Sequence, residues 1–329
     1  MDILKISKKP KLRKPYLIVA WPGMGEVAFK AASYLVEELK AKEFAEIKPE
    51  EFFYLTSSVV QSGILETPLL PQGKFYYWKN PAAKRAAPAK NDLVIFLSNA
   101  QPDLAKADSY ANIIIDLAKS VGVEMIVSFA SMPQATDHTQ DCRLWFAATD
   151  KKTKETLSKY NFGVLEDGQI SGMNGLFLGI AKKAGMKGFC LLGDIPLYTI
   201  QIENPKASAA VLGGLGKILN MQINVQPLKE QARTMENEIN KLLDYLKLGN
   251  PGQSSPIGEE EVELIKKTLS QLTKLPVSVK ERIEKLFEQS SLDISKASEL
   301  KVELDKWNVY KEYEDRFLDL FRKKDKGNQ

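Results

Sequence analysis

Tyr16-Leu17-Ile18-Val19-Ala20-Trp21-Pro22-Gly23-Met24-Gly25-Glu26-Val27-Ala28 runs six apolar residues into a proline-glycine turn and then into an amphipathic segment. Six consecutive apolar residues stopped by Pro-Gly read as a strand buried on both faces. Val27, Ala31, Tyr34, Leu35 and Leu39 follow at helical spacing, so Glu26 to Lys40 reads as a helix. Further strands are expected at Glu51 to Leu55, Lys74 to Lys79, Leu93 to Ser98, Met125 to Ala130, Arg143 to Thr149 and Gly188 to Gly193. Helices are expected near Leu104 to Val121, Lys151 to Tyr160, Asn174 to Ala184 and Pro205 to Asn220. Asn204-Pro205 gives the last of these an N-cap and a proline at its first position. Strands interleaved with helices over this length predict an α/β fold with helices on both faces of a sheet.

After Val225 the pattern changes. Leu228, Ala232, Met235, Ile239, Leu242 and Leu246 alternate spacings of four and three, one apolar seam along a long helix. Fewer than three heptads are present, so the seam is expected to pack within its own domain rather than in an intermolecular coiled coil. Gly249-Asn250-Pro251-Gly252-Gln253-Ser254-Ser255-Pro256 has the composition of a linker. Beyond it, Val262, Ile265, Leu269 and Leu272 form one helical stripe, and Pro276 opens a helix with Val279, Ile283 and Leu286. Asp293 is placed to cap a third helix containing Ala297, Leu300, Leu304, Trp307 and Phe317. Trp307, Tyr310, Tyr313, Phe317 and Phe321 are expected to form a packing face. The expected organisation is a basic N-terminal arm (1–15), an α/β domain with a long C-terminal helix (16–248), a linker (249–258) and an all-helical extension (259–329).

The chain has 329 residues, 44% hydrophobic and 27% charged, as ordinary globular proteins do. Its formal charge of +4 resides in the arm, where Lys5, Lys8, Lys9, Lys11, Arg13 and Lys14 face only Asp2, and the body is close to neutral. Such a distribution disfavours nucleic-acid binding by the folded surface, and no nucleic-acid partner is expected. Two isolated cysteines, Cys142 and Cys190, fit a reducing compartment, and with the single His138 they do not complete a four-ligand zinc site. No metal and no cofactor are expected. No run of 18 apolar residues exists, so no membrane-spanning helix is expected, and the apolar run after the basic arm reads as a strand rather than a signal peptide. A cytoplasmic protein is the expectation.

Gly23-Met24-Gly25-Glu26-Val27-Ala28 is a GxGxxA between strand and helix, a pattern through which dinucleotide folds bring a pyrophosphate to a helix N-terminus. The acidic residue required at the end of the next strand is missing, since that segment ends Leu55-Thr56-Ser57-Ser58. Pro22 in the turn and the charge of Glu26 in the first helical turn also oppose a phosphate. A glycine turn kept for backbone geometry is the simpler reading. No GxxxxGK[ST] occurs, and any triad would have to use His138, placed in Asp137-His138-Thr139 and expected to be a solvated loop residue. Asp103, Glu66, Asp137, Glu166 and Asp194 sit near strand ends or loops, and Asp194 follows the apolar Phe189 to Gly193. Helix or loop capping accounts for such a residue as readily as a ligand does.

Three stretches carry a resemblance: Ser171-Gly172-Met173-Asn174-Gly175-Leu176-Phe177-Leu178-Gly179-Ile180-Ala181, Gly188-Phe189-Cys190-Leu191-Leu192-Gly193-Asp194-Ile195-Pro196-Leu197-Tyr198, and Asn204-Pro205-Lys206-Ala207-Ser208-Ala209-Ala210-Val211-Leu212. With the Gly23-Met24-Gly25 turn, their order resembles the proteasome assembly chaperone family of the second-subunit type, over residues 16 to about 225. That family includes bacterial and archaeal members, some labelled ATP-grasp or carboxylate-amine ligase. The resemblance implies a three-layer α/β/α domain similar to nucleoside phosphorylases, oligomeric, and acting by protein binding. Gly172, Gly175 and Gly179 would then let a helix approach the sheet. The chain departs from the family at Ala28, Asp194-Ile195, Leu197 and Asn204, where Gly, Glu-Thr, Gly and Asp are usual. Proteasome-binding relatives end in a hydrophobic-Tyr-any tripeptide. The ending Gly327-Asn328-Gln329 does not match it, so that docking mode is not expected.

Two functions are therefore expected as alternatives. One is a non-catalytic, homo-oligomeric protein-binding scaffold or assembly chaperone whose partner is a protein. The other is a binder or enzyme for a nucleoside, nucleotide or carboxylate at the C-terminal edge of the sheet, where Gly23, Met24, Gly25, Asn99, Asn174, Asp194 and Tyr198 are the candidate ligand residues.

Overall fold

Strand formation follows the apolar runs closely. The computed structural model describes residues 3–54, 58, 60–61, 63–67, 69–81, 91–248, 277–306 and 309–322. The strands are β1 (Leu4–Ile6), β2 (Tyr16–Ala20), β3 (Lys42–Ile47), β4 (Val60–Gln61), β5 (Ile64–Leu65), β6 (Gly73–Trp78), β7 (Leu93–Ser98), β8 (Met125–Gln134), β9 (Leu144–Ala148), β10 (Gly163–Val164) and β11 (Gly188–Pro196). The helices are α1 (Val27–Glu38), α2 (Ala107–Ser120), α3 (Lys151–Leu157), α4 (Met173–Lys183), α5 (Pro205–Leu219), α6 (Gln226–Leu248), α7 (Val277–Leu292), α8 (Ala297–Lys306) and α9 (Tyr310–Arg322). Two compact units form. The first comprises Met1–Met132, Asp141–Ile195 and Ile202–Ala232, and the second Pro133–Gln140, Pro196–Gln201 and Arg233–Gln329.

Among the described residues nine strands make one sheet in the order β1-β3-β6-β7-β2-β8-β11-β9-β10, and β4 with β5 forms a separate hairpin. β2 pairs in parallel with β7 on one side and β8 on the other, Leu17 opposite Val94 and Ile126. Toward one edge β7, β6, β3 and β1 alternate antiparallel, while β11 and β9 run antiparallel near the other. The quoted opening run explains the central place of β2. A strand whose every residue is apolar is stable only with both faces covered, and Leu17 to Trp21 are fully buried.

Alternate residues of β2 serve opposite layers. Leu17, Val19 and Trp21 join a core with Phe96 of β7, Tyr110 and Ile114 of α2, and Phe177 and Ala181 of α4. Trp21 lies 5.3 Å from Phe96 and 5.5 Å from Phe177 between ring centroids, tilted contacts each contributing about 1 kcal/mol beyond burial. On the other face α1 packs along α5 and against β2 and β7. Ala28, Ala31 and Ala32 keep that side of α1 narrow and are buried. The sheet is thus sandwiched by helices, as expected.

Several expectations change. Glu51 to Leu55 does not form a strand in its described part. Pro49–Glu51 is a 3-10 turn, and Phe52 and Phe53 turn inward onto Tyr110 at 4.8 and 5.7 Å. β3 was not expected, because its charges interrupt the pattern, yet Phe44, Ala45 and Ile47 are buried. Within the basic arm, Leu4 to Ile6 pair with β3 as an edge strand. In α6, Leu228 and Ala232 are buried, but Leu242 is 54% exposed and Leu243 is buried in its place; the side chain of Leu246 lies outside those described. The glycines expected to bring a helix onto the sheet serve other contacts: a Cβ at Gly175 would meet the Ile170 carbonyl in the loop before α4, one at Gly172 would meet the Gln101 side chain, and one at Gly179 would meet nothing within 4 Å.

Within the second unit, α7, α8 and α9 have a core of their own, built from Ile283, Leu286, Phe287, Ala297, Leu300, Leu304, Val309 and Phe317. Tyr313 stacks on Phe287 at 5.8 Å, and Phe317 contacts Tyr310 and Phe321, the packing face expected from the aromatic stripe. Arg316 spans Phe287 at 4.2 Å and makes two hydrogen bonds to Glu284. That pair holds the Glu284 carboxyl below its usual range. The linker at 249–258, the stripe Val262 to Leu272, Pro276, Trp307 and the ending 327–329 lie outside the described residues.

Candidate functional site

The turn after β2 is held by polar groups that arrive from far along the chain. Asn174, the second residue of α4, clamps the Trp21 peptide: the Trp21 N–H donates to Oδ1 at 3.0 Å, and Nδ2 donates to the Trp21 carbonyl at 3.0 Å. Gln101 donates to the Pro22 carbonyl at 2.8 Å while accepting from the Met173 N–H at 3.1 Å. Ser131 donates to the Met24 carbonyl at 2.8 Å, and the Asn204 N–H donates to the Gly25 carbonyl at 2.8 Å. Four of the five residues from Trp21 to Gly25 therefore have backbone groups committed to holding the shape of the turn.

Gly25 takes φ +63°, the left-handed region that suits glycine. Glu26 takes φ +50° directly after it, a conformation that costs a side-chain-bearing residue about 1–2 kcal/mol. Its carboxyl is pushed up from the ordinary range, first by burial and then by the nearby Glu203 charge. Glu203 is itself bound by Lys30 at 2.6 Å. An acidic group held here opposes an anion at the start of α1, in line with the glycine turn serving geometry.

Asn99 ties strand ends together: its Oδ1 accepts from the Gln72 N–H at 2.8 Å. Asp194 is buried within β11, accepting from Trp145 Nε1 at 2.6 Å and from Arg143 Nε at 3.0 Å. The Arg143 side chain is 68% exposed and lies over the Trp145 ring at 5.8 Å. Cys142 adjoins this corner, its Sγ 3.2 Å from where a Cβ on Gly193 would stand. Burial and the Asp194 charge push the Cys142 thiol up to about 12, and burial does the same to Cys190. Neither thiol is a thiolate nucleophile near neutral pH.

Tyr198 belongs to the second unit, where it meets a residue misread from sequence. His138 is buried rather than solvated. Its Nδ1 shares a 2.8 Å hydrogen bond with the Tyr198 hydroxyl, which also accepts from the His138 backbone N–H at 2.8 Å. Nε2 lies 2.8 Å from Asn240 Oδ1. A loop position in Asp137-His138-Thr139 concealed this, because both partners are distant in sequence. Of the candidate residues, then, Gly23, Met24, Gly25 and Asn174 come together at one turn, while Asn99 and Asp194 each make their own structural contacts. Among the described residues no group of three or more His, Cys, Asp or Glu is arranged to hold a metal ion. No described helix is long and apolar enough to cross a membrane.

Comparison with known proteins aligns with this architecture. The PAC2 family model matches residues 17–243. An uncharacterized protein of Methanocaldococcus jannaschii is 27% identical over 265 residues, covering 79% of this chain and 96% of the relative. Among solved structures, Pyrococcus furiosus PbaB, an archaeal proteasome activator, superposes with a TM-score of 0.61 at 28% identity, covering 73% of this chain and 97% of PbaB. Mycobacterium tuberculosis proteasome-assembly chaperone homologue shares the fold, with a TM-score of 0.57 at 18% identity over 69% of this chain and 94% of its own.

Proposed function

The chain belongs to the PAC2 family, and on that premise we propose that it is a non-catalytic, chaperone-like protein-binding factor whose partner is a proteasome particle or its subunits. The observation that carries this is the likeness to the proteasome activator PbaB at 28% identity across nearly all of that chain. The geometry of the sheet edge supports it. Asn174, Gln101, Ser131, Asn99 and Asp194, the groups best placed to act on a small ligand, are engaged in hydrogen bonds that fix the turn and the strand ends. We read the protein as cytoplasmic and as a homo-oligomer, self-association multiplying its binding surfaces on a symmetric particle.

Affinity purification of the tagged full chain from its native cell tests the reading. Proteasome subunits should be recovered above an untagged control. Recovery of nothing but the chain itself, under conditions that preserve weak complexes, overturns it. Light scattering on the purified chain tests self-association, and a mass of 36.8 kDa at every concentration would refute that part alone.

A further inference from the structure

β1 closes one end of the nine-stranded sheet, and its pairing with β3 shows which of its backbone groups are spare. The Ile3 carbonyl accepts from the Lys48 N–H at 2.8 Å, and the Ser7 N–H donates to the Phe44 carbonyl at 2.8 Å. Bonded and non-bonded positions alternate along an antiparallel pair, so Ile3, Lys5 and Ser7 bond to β3 while the N–H and carbonyl groups of Leu4 and Ile6 point away from the sheet. Among the described residues no strand lies beyond them, and the Ile6 side chain is 43% exposed. Such an edge is a template for one more strand.

The segment that follows β1 supplies a second and independent observation. Residues 3–15 carry six cations and no acid. Lys5 stands opposite Glu46 in the ladder, and Lys14 lies 3.9 Å from Glu124. Lys8, Lys9 and Lys11 are exposed, and among the described residues their ammonium groups have no hydrogen-bond or ion-pair partner. They do not sit on a loose tail. Ser7 ties one end of the segment to β3, and at the other the Arg13 N–H donates to Asp92 Oδ2 at 2.7 Å and Asn91 Nδ2 donates to the Lys14 carbonyl at 2.7 Å. Leu12 packs against the core between these anchors. Half-buried Pro10 and Leu12 alternate with exposed Lys9, Lys11 and Arg13, so the cations share the outward side. A backbone already fixed in this way spares a partner the cost of ordering it. Lysine within an edge strand also deters pairing between copies, a task that Lys5 performs; Lys8, Lys9 and Lys11 lie past the strand and are not needed for it.

We propose that β1 and this basic segment together bind an extended acidic segment of a protein partner, which adds a strand beside β1 and lays its carboxylates against Lys8, Lys9 and Lys11. The proposal rests on the protein-binding reading above. The unmet charge selects an acid. The open ladder selects a polypeptide over a nucleic acid or a membrane, since only a peptide backbone returns N–H and carbonyl groups at the repeat of a strand. Alternate side chains of an added strand share one face about 7 Å apart, so acids at every second position match the alternation of Lys9 and Lys11.

Calorimetry on the full chain with three acetylated, amidated octapeptides tests this. The first alternates Glu and Val, the second replaces each Glu by Gln, and the third is the Glu-Val peptide N-methylated at every residue, which keeps the charge and loses the N–H groups. The first should bind at least about tenfold more tightly than either of the others, and its affinity should fall as the ionic strength rises. The triple variant Lys8→Gln, Lys9→Gln, Lys11→Gln, made of exposed changes, should weaken the first peptide by at least about tenfold without moving the thermal midpoint. Ile6→Pro deletes an outward N–H and none of the bonds to β3, and should weaken it by a similar factor; if that variant unsettles β1, the N-methylated peptide still reads the ladder. No binding of the first peptide, equal binding of the second or third, equal or tighter binding of a uridine oligonucleotide of the same charge or of phosphatidylserine vesicles, or undiminished binding by the triple variant or by a folded Ile6→Pro overturns the proposal. If the peptides fail while proteasome subunits are still recovered from cells, only the edge is refuted; if the Glu-Val peptide binds as expected but the wild type recovers no partner, the functional reading falls and the edge stands.

Discussion

Asn174→Ala removes both hydrogen bonds that clamp the Trp21 peptide, and the structure sets the size of the effect. Trp21 is fully buried and Asn174 nearly so, so water cannot readily replace the lost partner. The Trp21 N–H and carbonyl would each be left without the 3.0 Å bond they now make. A buried polar group stripped of its partner costs about 1–3 kcal/mol, which puts the pair at about 3 kcal/mol. That is more than a hundredfold in the unfolding equilibrium, and about 8 °C in the melting midpoint of a unit this size. Urea unfolding followed by tryptophan fluorescence, with thermal melts in parallel, measures it. Asn174→Asp refines the test. Its carboxylate can still accept from the Trp21 N–H but confronts the Trp21 carbonyl with no proton to donate. Burial would raise its folded pKa, so the variant should be most stable at acid pH, where the protonated acid can donate, and should lose that stability as the pH rises through the raised value. A loss below about 0.5 kcal/mol for Asn174→Ala, the ordinary scale of an uninvolved surface change, would refute the clamp.

Other substitutions probe other parts of the structure. Gly73→Ala places a methyl about 2.3 Å from the Tyr110 hydroxyl and 3.0 Å from Phe96, so chemical denaturation should show a loss of about 1–3 kcal/mol from overpacking. Glu26→Gln should stabilise at pH 7 and not at pH 4. The Glu26 carboxyl is raised by burial and by Glu203, so its proton favours the fold at low pH and that contribution is lost as pH rises through the folded value; equal effects at both pH values would show that the carboxyl is unperturbed. Cys142 and Cys190, with thiols pushed up to about 12, should alkylate far more slowly at pH 8 than a free cysteine, as mass spectrometry can follow. Rapid modification of the folded chain would overturn the burial of Cys190 or, at the half-buried Cys142, the raised thiol.

The central layer was legible from sequence because its signals are local. β2, β6, β7 and α2 are continuous apolar runs or periodic stripes whose period alone decides their type. β3 escaped because Lys42, Glu43 and Glu46 dilute the pattern, and the burial of Phe44 and Ile47 comes from partners in β6 and β1 rather than from neighbours in sequence. Phe52 and Phe53 misled in the opposite sense: an apolar pair suits a strand, but Tyr110 draws it into a corner. The candidate site was legible only as a list of polar residues near strand ends. That Asn174 reaches Trp21 depends on a contact across 153 positions, and that His138 is buried depends on Tyr198 and Asn240. Neither leaves a periodic trace.

The reach of the Asn174 clamp has a consequence for biosynthesis. Trp21 is polymerised 153 residues before the side chain that completes its hydrogen bonds, and Ser208, which donates to Val27, comes later still, 181 residues on. At about 5–20 residues per second, the central strand and its turn wait about 10–30 s for their partner to be made. Through that interval the most apolar strand of the chain emerges from the ribosome before the helix that seals its exit exists. Holding that nascent intermediate soluble is a demand this topology places on the cell, and slowing translation between codons 28 and 174 should lower the soluble yield even though the mature sequence is unchanged.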